Sequence, residues 1–282
     1  MKTGQGLIDD VNACRVPPGQ CALWWLGQHG FIVKLADTVC YIDVFFTELS
    51  DRLVRPLLAP REATNADLVL GSHDHLDHID RPAWPVVAAA SPEAIFVVPE
   101  LVRGKVSAEL NLSPQRIRGV EEGLTVRHRD VTITAIGAAH EFLDTDPATG
   151  RHPYVGFIIT GNGFSLYHAG DTCLYEGIHD RLRGHFGGPG QGAKLDLMIL
   201  PINGRDAARL ASGCIGNMTY QEAADLAGSL APGAVIPAHY DMFAMNSADV
   251  RQFARYMQVK YPGQAVIVPD HGRRVLVPNR PV

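Results

Sequence analysis

The stretch Ser72-His73-Asp74-His75-Leu76-Asp77-His78-Ile79-Asp80 puts three histidines and three aspartates into nine residues. Packing gives no reason to gather so many groups that resist desolvation. Metal binding does, because imidazole and carboxylate are common protein ligands of Zn²⁺, Mn²⁺ and Fe. The segment follows the apolar run 66–71. That places it on a loop at the C-terminal end of a strand, where function is commonly carried. A tight loop there turns His73 and His75 toward one ion, and Asp77 and His78 toward a neighbouring one.

On either side of this segment, the apolar runs are short and strand-like: 22–26, 31–35, 39–43, 68–70, 95–98, 131–136, 155–159, 164–167, 197–200, 235–236, 266–268 and 275–277. Helix signals are fewer. Thr219-Tyr220-Gln221-Glu222 reads as a capping box ahead of a helix to Leu230. Ser247 reads as the cap of a second helix ending near Lys260, with Val250, Phe253, Ala254 and Met257 on one face. Further helix starts are expected at Pro82, after Pro99 and after Ser113-Pro114. Residues 144–153 and 184–192 read as loops. Strands interleaved with helices predict sheets covered by helices rather than an all-β sandwich. The length suits one domain spanning 1–282, built of two β-rich halves with metals between them.

The composition frames this. The chain has 282 residues, a formal net charge of -5, 46% hydrophobic residues and a mean hydropathy of +0.00. Those values exclude a disordered tail. No apolar run approaches the ~18 residues of a membrane span. A mildly acidic chain argues against nucleic acid as partner, since phosphate binding needs clustered cations. The basic residues between Arg103 and Arg129 are interleaved with Glu109, Glu121 and Glu122. Cys14, Cys21, Cys40, Cys173 and Cys214 form no CxxC pair, so reduced thiols are expected. Residues 1–15 show no secretory pattern, which predicts a cytoplasmic location. The sequence is compatible with a homo-oligomer.

The motif His73-x-His75-x-Asp77-His78 resembles the HxHxDH signature of the metallo-β-lactamase superfamily, and the superfamily's later landmarks occur in order. The resemblance implies an α+β, αββα four-layer sandwich: two mixed β-sheets face to face with helices on both outer faces. It implies His140, after the strand 131–136, as third histidine of the first ion. It implies Asp171 as the carboxylate shared by both ions and His239 as the last ligand. The segments Leu200–Arg205, Asn217–Ala223 and Ile236–Phe243 are similar to the L-ascorbate-6-phosphate lactonase group, as is Leu23-Trp24-Trp25-Leu26-Gly27. Members of that group are longer and lack a clear counterpart of His140.

Two divalent ions, Zn or Mn with Fe admissible, lower the pKa of a shared water and polarise the attacked oxygen. The implied chemistry is metal-dependent hydrolysis, with Asp77 catalytic as well as metal-binding. The implied activity is opening the lactone ring of a phosphorylated sugar acid. A phosphodiesterase or nuclease on the same fold is the alternative. The substrate is expected to be a small molecule, anionic in character. Its candidate contacts follow strand ends or open a helix: Asn203, Arg205, Thr219, Tyr240 and Asp241. Arg205 offers a bidentate group for a phosphate or carboxylate, and Thr219 a helix N-terminus. His168 alternates with apolar residues, which predicts a core role or one behind the ligands.

Overall fold

The computed structural model describes residues 1–186 and 194–279. Its first sheet is built from β1 (Gln20–Gly27), β2 (Gly30–Leu35), β3 (Thr38–Ile42), β4 (Leu68–Leu70), β5 (Ile95–Pro99) and β6 (Ile117–Val120), with β13 (Arg274–Pro278) beside β1. The pairs from β13 to β3 are antiparallel, and those from β3 to β6 are parallel. The second sheet holds β7 (Val126–His128), β8 (Val131–Gly137), β9 (Val155–Gly161), β10 (Phe164–His168), β11 (Leu197–Pro201) and β12 (Ala234–Ala238). Its β7 to β10 pairs are antiparallel and its β10 to β12 pairs parallel. Both sheets are therefore mixed.

Side chains alternate faces along a strand, so β1 serves two separate cores. Cys21, Leu23 and Trp25 enter the core shared by the two sheets. Ala22, Trp24 and Leu26 face the other way, onto Leu7, Ile8 and Val11 of α1 (Gly4–Ala13). The same outer face takes Trp84 and Val87 of α2 (Trp84–Ala90) and Val106 of α3 (Glu100–Leu110). The second sheet is covered by α4 (Ile178–Phe186), α6 (Tyr220–Leu230) and α7 (Val250–Lys260) through Leu182, Leu226, Phe253 and Met257. The short α5 (Ala207–Ala211) carries no buried residue. Helix, sheet, sheet, helix is the expected four-layer order.

Several local expectations differ. The run after Asp80 makes a turn before α2 begins at Trp84, with Pro85 inside its first turn. Ser113-Pro114 opens a turn, not a helix, because Ile117 and Val120 go into β6 against β5. Asp249, not Ser247, caps α7, accepting from the Arg251 N–H; the Ser247 hydroxyl accepts the Asp241 N–H instead. Residues 266–268 make only a bridge, Val235 with Val266. Of the expected loop 184–192, Gly184 to Phe186 finish α4, and 187–192 lie outside the described residues.

Chain direction decides where the site falls. The loop 72–80 leaves the C-terminal end of β4, Asp171 follows β10, His140 follows β8 and His239 follows β12. The β1–β2 turn and the end of β3 arrive at the same edge. Crevices at strand C-termini are the usual ligand position in such sheets.

Candidate metal centre

Seven predicted ligands converge there. His73, His75 and His140 offer ligand atoms all within 4.8 Å of one another, and so do Asp77, His78 and His239. A third group, His73, His78 and Asp171, joins the two. His73 Nε2 lies 3.0 Å from His75 Nδ1. Asp171 bridges the far side: Oδ2 is 3.0 Å from His239 Nε2, and Oδ1 is 3.5 Å from His78 Nε2. All but His75 and Asp77 are buried.

The seven candidate ligands come from four loops, with His73, His75, Asp77 and His78 all in the one after β4. Gly170 adopts φ +58, which turns the chain so that Asp171 enters the site. The His140 loop is tied to the Asp171 loop by the Ala139 N–H on Thr172 Oγ1 (3.0 Å) and the Cys173 N–H on the Ala139 carbonyl (2.7 Å). Of the three aspartates in the motif, only Asp77 faces the ligands. Asp80 accepts the Phe46 and Thr47 N–H groups and the Thr47 hydroxyl, pinning the loop after β3. Asp74 pairs outward with Arg81 and Lys105.

Residues behind the ligands set their tautomers. Asp43 accepts the Ser72 N–H (2.8 Å), the Ser72 hydroxyl (2.6 Å) and His78 Nδ1–H (2.8 Å). Having donated to Asp43, Ser72 Oγ accepts His73 Nδ1–H at 3.0 Å. Both imidazoles thereby turn Nε2 into the site, the orientation metal-binding histidines use. His78 Nε2 is buried without a hydrogen-bond partner. His29 Nδ1 lies 3.3 Å from Asp171 Oδ1. His168 stays behind the ligands as expected, donating Nε2–H to the His29 carbonyl and accepting the Gly170 N–H.

The electrostatics fit a cation. Burial pushes His73 well below the usual imidazole range, lowers His75, and brings His140 down to about 4. These three are neutral and ready to ligate. Around His78 burial also opposes charge, but Asp171, Asp43 and Asp77 overcome it and raise its pKa well above normal. Burial would raise Asp171, yet His239 and His78 hold it well below the carboxylate range. Carboxylates that hold a proton on a buried imidazole make a field that a divalent ion would satisfy. The donor set therefore fits two ions: three imidazoles for the first, an Asp/His mixture for the second, and Asp171 between them.

The predicted substrate contacts separate. Asn203 is buried and donates to Asn246 Oδ1 (2.7 Å), which lines an open groove of about 270 Å³ above Asp77. Phe45, Leu49, Leu76, Phe243 and Met245 form most of its wall. Arg205 is engaged bidentately by Glu222 (2.6 and 2.8 Å). Thr219 closes the predicted capping box with the same Glu222. Tyr240 is a core residue, its ring 4.8 Å from that of Trp25, and Asp241 is exposed. The five cysteines are free, and all but Cys214 are buried. Among the described residues no helix is long and apolar enough to cross a membrane.

Imidazoles and carboxylates grouped around two points at the mouth of a two-sheet sandwich form candidate metal sites. A family described as the "Beta-lactamase superfamily domain" matches residues 35–240, and the chain belongs to it. It is similar to a UPF0173 metal-dependent hydrolase of Sulfurisphaera tokodaii, 25% identical over 254 residues, covering 90% of this chain and 98% of that one. A UPF0173 metal-dependent hydrolase of Methanosarcina barkeri is 28% identical over 249 residues, covering 86% and 94%. Among solved structures, the metallo hydrolase Igni18 of Ignicoccus hospitalis superposes with a TM-score of 0.68 at 21% identity, covering 93% of this chain and all of that one. That likeness is one of fold.

Proposed function

We propose that this metal-dependent hydrolase opens a lactone ring, cleaving a carboxylic ester. The observation that carries the reading is the placement of Asp77. It is the one site carboxylate that reaches the groove, with a side chain 25% exposed, and its Oδ2 stands 3.6 Å from His78 Nε2. His73, His75 and His140 would hold one ion and Asp77, His78 and His239 the other, with Asp171 shared. Bound there, the ions would supply Lewis acidity and make water acidic enough to act near neutral pH.

The chain's own part is positional and protonic. Water adds to the lactone carbonyl carbon, and Asp77 accepts its proton. The ring C–O bond then breaks, the proton passes to the departing ring oxygen, and a hydroxy acid results. Asn246, held by Asn203, is placed to hydrogen-bond a ring substituent. The apolar wall suits an uncharged ring.

The resemblance to the ascorbate-phosphate lactonases makes a phosphorylated sugar-acid lactone the first substrate to test. Its phosphate would have to displace Glu222 from Arg205, or Asp206 from Arg209. Phosphodiester cleavage is the alternative, and a mostly apolar groove whose charged residues are Asp51 and Asp77 gives a polyanion little to hold. The test is a hydrolysis screen of L-ascorbate 6-phosphate, unphosphorylated sugar lactones and bis(p-nitrophenyl) phosphate after restoring Mn²⁺ or Zn²⁺. Lactone opening that disappears in Asp77→Asn supports the reading. Phosphodiesterase activity without lactonase activity overturns it.

A further inference from the structure

Gln28 is not among the predicted ligands, yet its side chain ends beside the second ion's donors. It sits in the β1–β2 turn, 1% exposed, with φ 50. Left-handed backbone is costly for a residue of this kind and gathers at functional sites. The turn is fixed twice: the Gln28 carbonyl accepts the Trp25 indole N–H (3.1 Å) and the His239 N–H (2.8 Å). His239 is left-handed as well, with φ 61. Two strained residues therefore lock each other at the site.

The carboxamide's Nε2 position lies 3.3 Å from Asp77 Oδ2 and 3.4 Å from His239 Nε2. Both distances are long for hydrogen bonds. They match the spacings among the candidate ligand atoms here, 3.0 Å for Asp171–His239, 3.5 Å for Asp171–His78 and 3.6 Å for Asp77–His78. Donors about 2.1 Å from one ion stand roughly 3.0–3.4 Å apart in octahedral or tetrahedral arrays. An N–H in this position would also compete with the ion for the His239 lone pair.

The two ends of a carboxamide have the same shape and interchange by a half-turn about its last torsion. Gln28 Oε1 is buried with no partner. One end of the amide lacks a partner in either orientation, so the half-turn costs no hydrogen bond that the ion does not replace. It brings an oxygen lone pair to the point shared by Asp77 and His239.

We infer that Gln28 Oε1 is a ligand of the second metal ion. That ion then has Asp77, His78, His239, Asp171 and Gln28 around it, three oxygen and two nitrogen donors. An oxygen-rich set of this kind suits Mn²⁺ better than an all-histidine set does. The inference rests on the two-ion reading of the site and is independent of which substrate is cleaved.

Mn²⁺ titration of the metal-free full chain, with free Mn²⁺ read by electron paramagnetic resonance, tests it without turnover. Each variant is first shown to melt cooperatively without metal. Wild type takes up two ions. Gln28→Met, similar in length with no oxygen, loses second-site affinity by at least about tenfold. Gln28→Glu keeps an oxygen at the same reach and holds second-site affinity at wild-type level or tighter. Unchanged affinity in Gln28→Met overturns the assignment. So does an equal loss in Gln28→Glu, which would make Gln28 an N–H donor to Asp77. Fewer than two ions on wild type overturns the two-ion reading beneath it, separately from the choice of substrate.

Discussion

Asp43 and His78 form a wholly buried pair, with Oδ2 2.8 Å from Nδ1. The same carboxylate takes both Ser72 donors, so a single residue at the end of β3 orients two candidate ligands, His73 through Ser72 and His78 directly. Asp43→Asn keeps the volume and one acceptor but removes the charge and one acceptor oxygen. Metal affinity should fall roughly 10–100-fold, the cost of losing a partner behind a ligand. Chelator competition on wild type and variant reads this. An affinity unchanged within error would mean that Asp43 only packs.

Gly170 supports the placement of Asp171 by having no side chain. A Cβ there would sit 2.6 Å from the Val155 carbonyl and 2.8 Å from Ser72 Cβ, on a backbone at φ +58. Gly170→Ala therefore combines left-handed strain with a clash against backbone. The expected cost is about 2–4 kcal/mol of stability. The neighbouring Asp171 should shift with it, lowering the metal content of purified protein. Urea unfolding of the metal-free form and elemental analysis measure the two effects. A neutral substitution on both would contradict the packing described.

The convergence of the candidate ligands was legible because four of them lie in one loop whose polarity no core could absorb. His140, Asp171 and His239 each follow a strand that the apolar runs had marked. The groups behind them were not. Gln28 meets Asp77 across 49 positions of chain, and Asp43 meets His78 across 35. Each is a single polar residue at a strand end, and nothing local says what it faces. Arg205 looked free for a ligand because sequence alone does not show Glu222 reaching it. Among the elements, α1 and α4 lacked long periodic runs. The Ser113-Pro114 signal suits a turn as well as a helix start, and the β-branched residues at 117 and 120 favour the sheet.

Thr219 separates two roles cleanly. Its hydroxyl accepts the Glu222 N–H, and Glu222 returns to the Thr219 N–H at 2.8 Å while also pairing with Arg205. Thr219→Ala should cost about 1 kcal/mol, the worth of a helix cap. KM for a responsive lactone should not change if the residue only caps. Denaturant unfolding beside steady-state kinetics decides, and a raised KM at unaltered stability would make Thr219 a substrate contact instead.

Acid should weaken the metal-free protein well before its carboxylates titrate. Burial pushes His29 and His140 down to about 4 and His168 to about 3. An unfolded histidine titrates near 6.5. Between those limits the unfolded chain binds more protons at these three positions than the folded one. Their contribution is complete above about pH 6.5 and drains away as the pH falls toward 4. His73 and His75, also lowered by burial, add in the same direction. His78 opposes them. Its raised pKa, set by Asp171, Asp43 and Asp77 against burial, contributes stability that is whole below about pH 6.5 and is lost as pH rises through its folded value. Six histidines lowered by burial, His271 among them, against one raised give a Tm that drops between pH 7 and pH 5 in calorimetry of chelator-treated protein. A Tm that holds or rises on that acidification would mean the buried histidines are already protonated in the fold.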